Sequence, residues 1–469
     1  MLKLRNRQTD LTDGPIFSKV FLFVIPLMIT NLLQVLYNAA DMMVVSLSSE
    51  GDAVGAIGIT GAMINLINNI FFGFATGTNV VVARYLGAKD EENTSKAVHT
   101  SVIMSILFGL ASTVVGLFIS RPVLSLMGAE GRLLDLATTY TALYFCGVPF
   151  IALTNYEISI FRAKGDTKTP LYILSFAGVV NVALNAFFVL VCGLSVEGVA
   201  IATVIANITS AALLLWKLSK DEGECRFSFK KLRIDKGVFK EICVVGLPAG
   251  LQGSLFSLSN MTIQSSIIKM NSILTPVGSE ISPVVNGNAA AQSLESFIYT
   301  ATNSVYQASI TFTSQNAGAG KYKRVPRVMS SCYFLTFLIA IAVGAFMFAF
   351  KVPLLSFYKV VDGEIGSLAH IAFNTASIRM NYMFYVYFLF GFMEVGSGAV
   401  RGLGKSSISA VISLLGACVF RVLWVLIVFE AYPSLEIIYI SYPISWILTA
   451  LAQFVYTRIL LKRLTRASA

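Results

Sequence analysis

The chain has 469 residues, 56% of them hydrophobic and only 13% charged, with a formal charge of +10. A mean hydropathy of +0.74 excludes a water-soluble globule and describes a chain whose main solvent is lipid. The positive balance does not point to nucleic acid, because the bases cluster between apolar runs, and six scattered cysteines without a CxxC pair or neighbouring histidine indicate neither a disulfide frame nor a zinc site.

Met1 to Pro15 is polar and has no apolar stretch ending in a small-residue cleavage site, so residues 1–15 read as a cytoplasmic tail. A hydrocarbon core about 30 Å thick needs roughly 20 apolar residues per helix. Runs of that kind lie at 16–47, 53–83, 94–120, 133–161, 168–191, 196–218, 239–268, 283–314, 326–350, 366–400, 406–430 and 435–461. Assigning alternate loops to alternate sides puts 28 of the 35 Lys and Arg on one side. By the positive-inside rule that side is the cytoplasm, both termini lie there, and the number of spans is even.

The first span carries Asn31, Gln34, Asn38 and Asp41 within roughly 80° of one another, a polar stripe on a lipid-compatible helix. A charged Asp at mid-membrane costs about 2.5–3.5 kcal/mol on insertion scales, so Asp41 must be neutralised by a proton, a cation or a partner. Either it switches between such partners or it is a permanently protonated packing residue. In the fourth span Glu157 sits near the cytoplasmic end and reads as interfacial. Asn181 and Asn185 share a face of the fifth span at i, i+4, and Thr203 and Asn207 do so in the sixth; all four could complete a site around Asp41, or serve as glue between helices. Glu295 and Glu394 are the acids deepest in the second half. Arg421 is a base near the centre of its helix, expected to form an ion pair with one of those glutamates. GxxxG at Gly73–Gly77, Gly246–Gly250 and Gly398–Gly402 signals close helix packing.

The longest polar interval, Lys217 to Lys240, lies near the middle, and the stretches on its two sides match. "FSKVFLFVIP" at Phe17 resembles "FKEICVVGLP" at Phe239, "YLGAKDE" at Tyr85 resembles "NAGAGKY" at Asn316, "RPVLSL" at Arg121 resembles "KVPLLSF" at Lys351, and "FRAKGDTKTP" at Phe161 resembles "VRGLGKSS" at Val400. Four pairs in the same order indicate a tandem duplication of six spans. An even repeat enters the membrane twice from the same side, so the relating axis stands along the membrane normal, with substrate expected between the lobes. The lobes are expected at 16–219 and 238–461, joined by a cytoplasmic loop at 220–237 and followed by a cytoplasmic tail at 462–469.

Enzymatic motifs are missing. "RGLGKSS" ends like a phosphate-binding loop, but its opening glycine would fall on Ala399 and no strand precedes it; HExxH and GxSxG do not occur.

With "GPIFSKVFLFVIPLMITNLLQVLYNAAD", "LGAKDEENTSKA", "FRAKGDTKTPLY", "NVALNAFFVL", "GVAIATVIAN", "SQNAGAGKYKR" and "VRGLGKSS" in order, the chain resembles the multidrug and toxic compound extrusion (MATE) transporters. These belong to a superfamily that also holds flippases of lipid-linked saccharides. The resemblance implies an all-α polytopic membrane protein of twelve helices in two pseudo-symmetric six-helix lobes. It implies no enzymatic activity and no cofactor beyond a coupling ion, H+ or Na+, exchanged for an organic cation at the cell membrane. It also implies that Asp41 carries that ion, with Asn181 and Thr203 in the same site. Asn185 stands where many relatives have a second acid, and the seventh span has no acid where the sodium-coupled branch has one, which favours protons over Na+ at Asp41. Gln34, Asn38, Asn207, Glu295, Glu394 and Arg421 are the candidates for the substrate cavity. The expected partners are a small organic molecule and the bilayer, with no nucleic acid and the chain acting as a monomer. The competing reading is a flippase; its cavity should be more basic than Arg421 and Arg379 would make this one.

Overall fold

The computed structural model describes residues 10–45, 53–276, 279 and 281–467. Residues 1–9 of the expected amino tail, 46 and 47 of the first span and 468 and 469 of the carboxy tail lie outside them. The described residues form helices and no strand. In chain order these are α1 Ile16–Val45, α2 Ala53–Ala88, α3 Glu91–Leu126, α4 Gly131–Ala163, α5 Lys168–Ala186, α6 Val196–Ser219, α7 Lys236–Leu274, α8 Pro283–Gly318, α9 Val325–Ala349, α10 Lys351–Phe357, α11 Leu368–Met383, α12 Phe388–Gly402, α13 Ser406–Ser413, α14 Phe420–Trp424 and α15 Leu435–Ala467. α5 continues into a π-helical turn at Phe187–Val191, and two further π turns, Leu414–Val419 and Val425–Phe429, bracket α14.

Among the described residues ten helices are long and apolar enough to cross a membrane, and the pair α11 and α12, bent by 50°, makes an eleventh. The remaining expected span falls on α8, which has 36 residues but is rich in Asn, Gln, Ser and Thr. Many of these are buried, Ser304, Gln307, Ser309, Thr311 and Thr313 among them. A helix that hides its polar groups against protein can span a bilayer without the apolar composition that lipid contact demands. The tenth expected span, 366–400, is thus a broken helix. The expected match between "RPVLSL" and "KVPLLSF" joins the end of α3 to the separate short helix α10.

Contacts divide the chain into two units: unit 1 is Met1–Gly14, Ile25–Leu251 and Ser314–Gly320, and unit 2 is Pro15–Val24, Gln252–Thr313 and Lys321–Ala469. α1 and α7, which occupy equivalent places in the two repeats, therefore both change unit part-way along. In unit 1, α7 meets α2 through glycines: a Cβ on Gly73 would lie 2.2 Å from the Gly250 nitrogen, and one on Gly77 2.5 Å from the Ile242 oxygen. Two of the GxxxG motifs pack on each other. In unit 2 the third lies against α8, with Gly398 over Tyr306 and Gly402 over Thr313.

The duplication is visible in backbone detail. Matched residues Lys89 and Gly320 both take a left-handed conformation, with φ of 57° and 68°, as do Gly165 and Gly404, with φ of 82° and 80°. Each such residue closes a helix end. The Gly165 amide donates to Arg162 O at 2.9 Å and the Gly404 amide to Arg401 O at 2.8 Å; the following amides, of Asp166 and Lys405, reach Phe161 O and Val400 O. Within unit 1 the paired motifs also touch reciprocally. A Cβ on Gly87 would meet Gln315 O, and one on Gly318 would meet Arg84 O. The Leu11 amide donates to Gln315 Oε1 at 3.2 Å, and Gln315 Nε2 donates to Ala163 O at 2.6 Å, tying the amino segment to this junction.

The polar loop before α7 is fixed to unit 1. Phe227 is buried and stacks on His99, whose Nε2 accepts from the Ser228 amide at 3.0 Å. Lys164 forms a buried 2.7 Å ion pair with Asp221. Burial pushes the Cys225 thiol up to about 12, so this cysteine is an inert packing group. Burial, together with Glu91 and Asp90 nearby, raises Glu224 above the ordinary carboxylate range.

Candidate functional site

Unit 1 holds Asp41 among amides. Tyr37, one turn before it on α1, packs on Gly178 of α5 and donates to Ser175 O at 3.3 Å. Contacts that advance together along both helices mean that α1 and α5 run parallel here, which sets Asp41 opposite Asn185. Asn185 Nδ2 donates to Asp41 Oδ1 at 2.5 Å and to Asn181 Oδ1 at 3.3 Å, and Asn181 Nδ2 reaches Thr203 Oγ1 of α6 at 3.5 Å. The i, i+4 spacing of Asn181 and Asn185 lets one amide chain link the three helices. Asn185 is fully buried, and its Oδ1 has no partner among the described residues. An acceptor left open beside a carboxylate suits a proton or a small cation. Tyr140 of α4 is within electrostatic reach of Asp41 and stacks on Tyr144, which accepts from Asn68 Nδ2 at 3.3 Å.

The other residues of the expected site fare differently. Asn207 turns back on its own helix, donating to Thr203 O at 2.8 Å. Gln34 and Asn38 are exposed on α1. Glu157, read as interfacial, is fully buried instead, and neither carboxylate oxygen has a partner among the described residues. α4 packs against α2, α3 and α6, and three helices leave no water-facing side at its depth.

Unit 2 contains the second cluster, and here the expected ion pair is corrected. Glu295 of α8 pairs with Arg379 of α11, not with Arg421: Arg379 Nη2 and Nε lie 2.6 and 3.1 Å from Glu295 Oε2. Arg379 Nη1 donates to Asn288 Oδ1 at 2.6 Å, which also accepts from Tyr439 Oη at 2.9 Å. α8 carries both Asn288 and Glu295, two turns apart on one face, and so presents a ready-made cradle to a guanidinium on α11. Arg421 instead donates through Nε to Ser445 Oγ at 2.9 Å and lies over the Tyr442 ring, 4.2 Å from its centroid. Glu394 forms no ion pair among the described residues; Arg401, its electrostatic neighbour, is held by Tyr306 Oη and by Gln252 Oε1, the latter at 2.6 Å. Arg401, Asn288 and the tyrosines were not singled out by sequence, since nothing local separates them from the chain's other tyrosines, amides and loop-end bases. Arg379 carried one signal, its position inside a span.

Long apolar helices that hold a carboxylate among amides, and an arginine–glutamate pair against tyrosines, define a polytopic membrane transport protein. The family follows from comparison: the MatE family model matches residues 26–187 and again 256–427, once in each repeat. The chain therefore belongs to the MatE family, whose members are transporters and not enzymes, as its motifs implied. It is 26% identical over 459 residues to probable multidrug resistance protein YoeA of Bacillus subtilis (strain 168), covering 96% of this chain and 95% of that protein. It is 24% identical over 250 residues to multidrug export protein MepA of Staphylococcus aureus (strain MRSA252), covering 53% of this chain and 55% of that one. Among solved structures, an outward-facing multidrug resistance MATE family transporter of the MOP superfamily is similar with a TM-score of 0.87 at 22% identity, over 98% of this chain and 99% of that chain.

Proposed function

We propose that this chain exports amphipathic organic cations across the cell membrane in exchange for H+, by alternating access of lobes at 16–219 and 238–461, with both termini cytoplasmic. Asp41 carries the coupling ion, Asn181, Asn185 and Thr203 complete its site, and the chain acts as a monomer without a cofactor. The carrying observation is the Asp41 carboxylate bonded to the Asn185 amide while a buried acceptor beside it stays open. A proton needs one acceptor there. Na+ needs several oxygens and the charge to match, and the group against Asp41 is the neutral Asn185 amide in place of a second carboxylate, which favours a proton. The names of YoeA and MepA support drugs as the exported class. The three buried arginines of unit 2 keep a lipid-linked saccharide flippase as the second reading.

The test is efflux of a fluorescent organic cation from liposomes under an imposed pH gradient, then under a Na+ gradient, with the parent and Asp41→Asn. The pH gradient should drive the parent alone. Normal exchange by the variant, or drive by Na+ only, would refute proton coupling at Asp41.

A further inference from the structure

Arg421 stays charged at any physiological pH, and in a membrane helix such a charge calls for a counter-charge. Unit 2 does not supply one at contact distance. Glu295 is taken up by Arg379 through two nitrogens, and among the described residues Arg421 has no ion-pair partner, although it is 97% buried, with 3% relative exposure. Its guanidinium is nevertheless held firmly. Ser445 Oγ accepts from Nε and itself donates to Tyr442 O at 2.7 Å, so one edge is pinned, and the Tyr442 ring covers one face. The opposite edge, Nη1 and Nη2, takes no hydrogen bond among the described residues, and neither nitrogen is sealed away from solvent-sized space. That edge is the fork that receives a carboxylate by two parallel hydrogen bonds.

A second, independent observation lies one turn further along α15. Trp446, 1% exposed, has an indole N–H with no acceptor among the described residues. Its ring meets Tyr442 at 5.9 Å and Tyr387 at 5.4 Å between centroids. Arg421 and Trp446 thus flank Tyr442 with donors that have no partner among the described residues, beside an aromatic wall. Moreover, Arg421 stands on the single α-helical turn between two π turns, an irregularity that marks functional positions.

We propose that Arg421, with Ser445, Tyr442 and Trp446, is a binding site in unit 2 for the carboxylate head of an amphipathic aromatic ligand. The inference rests on the export reading for its biological sense: the transported class would include compounds that bear an acid as well as a cationic or apolar body. The chemistry of the site does not depend on the coupling ion.

Binding is measured at equilibrium, without any gradient, so its failure is distinct from failure of antiport. The full chain in phosphatidylcholine nanodiscs is titrated with 1-pyrenebutyric acid and with the corresponding primary amide, read by anisotropy. The parent should bind the acid about tenfold or more tightly than the amide, since hydrogen bonds to a charged group carry that much. In Arg421→Gln the two affinities should converge, and Arg421→Lys should keep part of the preference. Ser445→Ala, which retains the charge and removes the pin, should narrow the preference and guards against a fold defect in the arginine variants. Equal affinities for acid and amide in the parent would overturn the proposal, as would an undiminished preference in Arg421→Gln. Displacement of the probe when phosphatidylglycerol replaces phosphatidylcholine would assign the site to a lipid head group and overturn it likewise.

Discussion

The two repeats close their helices with the same left-handed turns, yet their interiors carry opposite chemistry. In unit 1 the network around Asp41 is a carboxylate, two amides and a hydroxyl. In unit 2 it is Arg379 clamped by Glu295 and Asn288, with Arg421 set over a tyrosine. A duplication fixes where helices start and stop through the backbone, while side chains in the packed interior are free to diverge once each set is satisfied. The amide network leaves one buried acceptor, Asn185 Oδ1, without a partner among the described residues. The ion pair is closed, and loosening it exposes a buried charge.

That contrast can be broken by experiment. The largest effect is expected for Asp41→Asn, which should bring gradient-driven efflux down to the level of protein-free liposomes, whereas Glu394→Gln in unit 2 should leave gradient coupling in place. Next, Glu295→Gln should destabilise the protein by about 3–5 kcal/mol, because it leaves Arg379 buried without its carboxylate. Adding Arg379→Gln should recover part of that loss, read from thermal unfolding in detergent; no recovery would mean that the pair is not the reason. Asn185→Leu in unit 1 should cost less, about 1–3 kcal/mol for the hydrogen bonds it removes. The reciprocal glycines sharpen the symmetry itself: Gly87→Ala and Gly318→Ala should each cost about 1–3 kcal/mol by forcing backbone apart, and unequal costs would show that the two contacts are not equivalent.

The smallest effect lies in the polar loop before α7. Burial and two acidic neighbours raise Glu224, so its folded form binds a proton more readily than the unfolded chain. Its contribution is then present below the unfolded carboxylate range and lost as pH rises through the folded value. Glu224→Gln should raise the melting temperature at pH 7.5 and leave it unchanged at pH 4. A shift at pH 4 of equal size would contradict the sign.

Much of this was legible in the chain. The apolar runs located eleven of the expected spans, and α8 is the instructive exception, since its buried serines and threonines read as polar although protein covers them. Asp41 with Asn185 and Asn181 could be found because their spacing places them on helix faces. Arg421 could be recognised as needing a partner, but not which group would be near it. Glu295 faces Arg379 because of the register of α8 against α11, a relation that no local pattern encodes. Glu157 differs from expectation for the same reason: its place near the helix end suggests an interface, while the helices packed around it bury it.

Composition, the spacing of apolar runs, the basic loops and the doubled motifs were decided by residues acting alone or with near neighbours, through transfer to lipid and backbone hydrogen bonding within one helix. Those determined an all-helical membrane protein built twice over. Which acid meets which base, and which donors stay open, depends on side chains brought together from distant helices within contact distance. Only the packed tertiary structure sets that, because charge pairing in a low-dielectric interior is settled over a few ångströms.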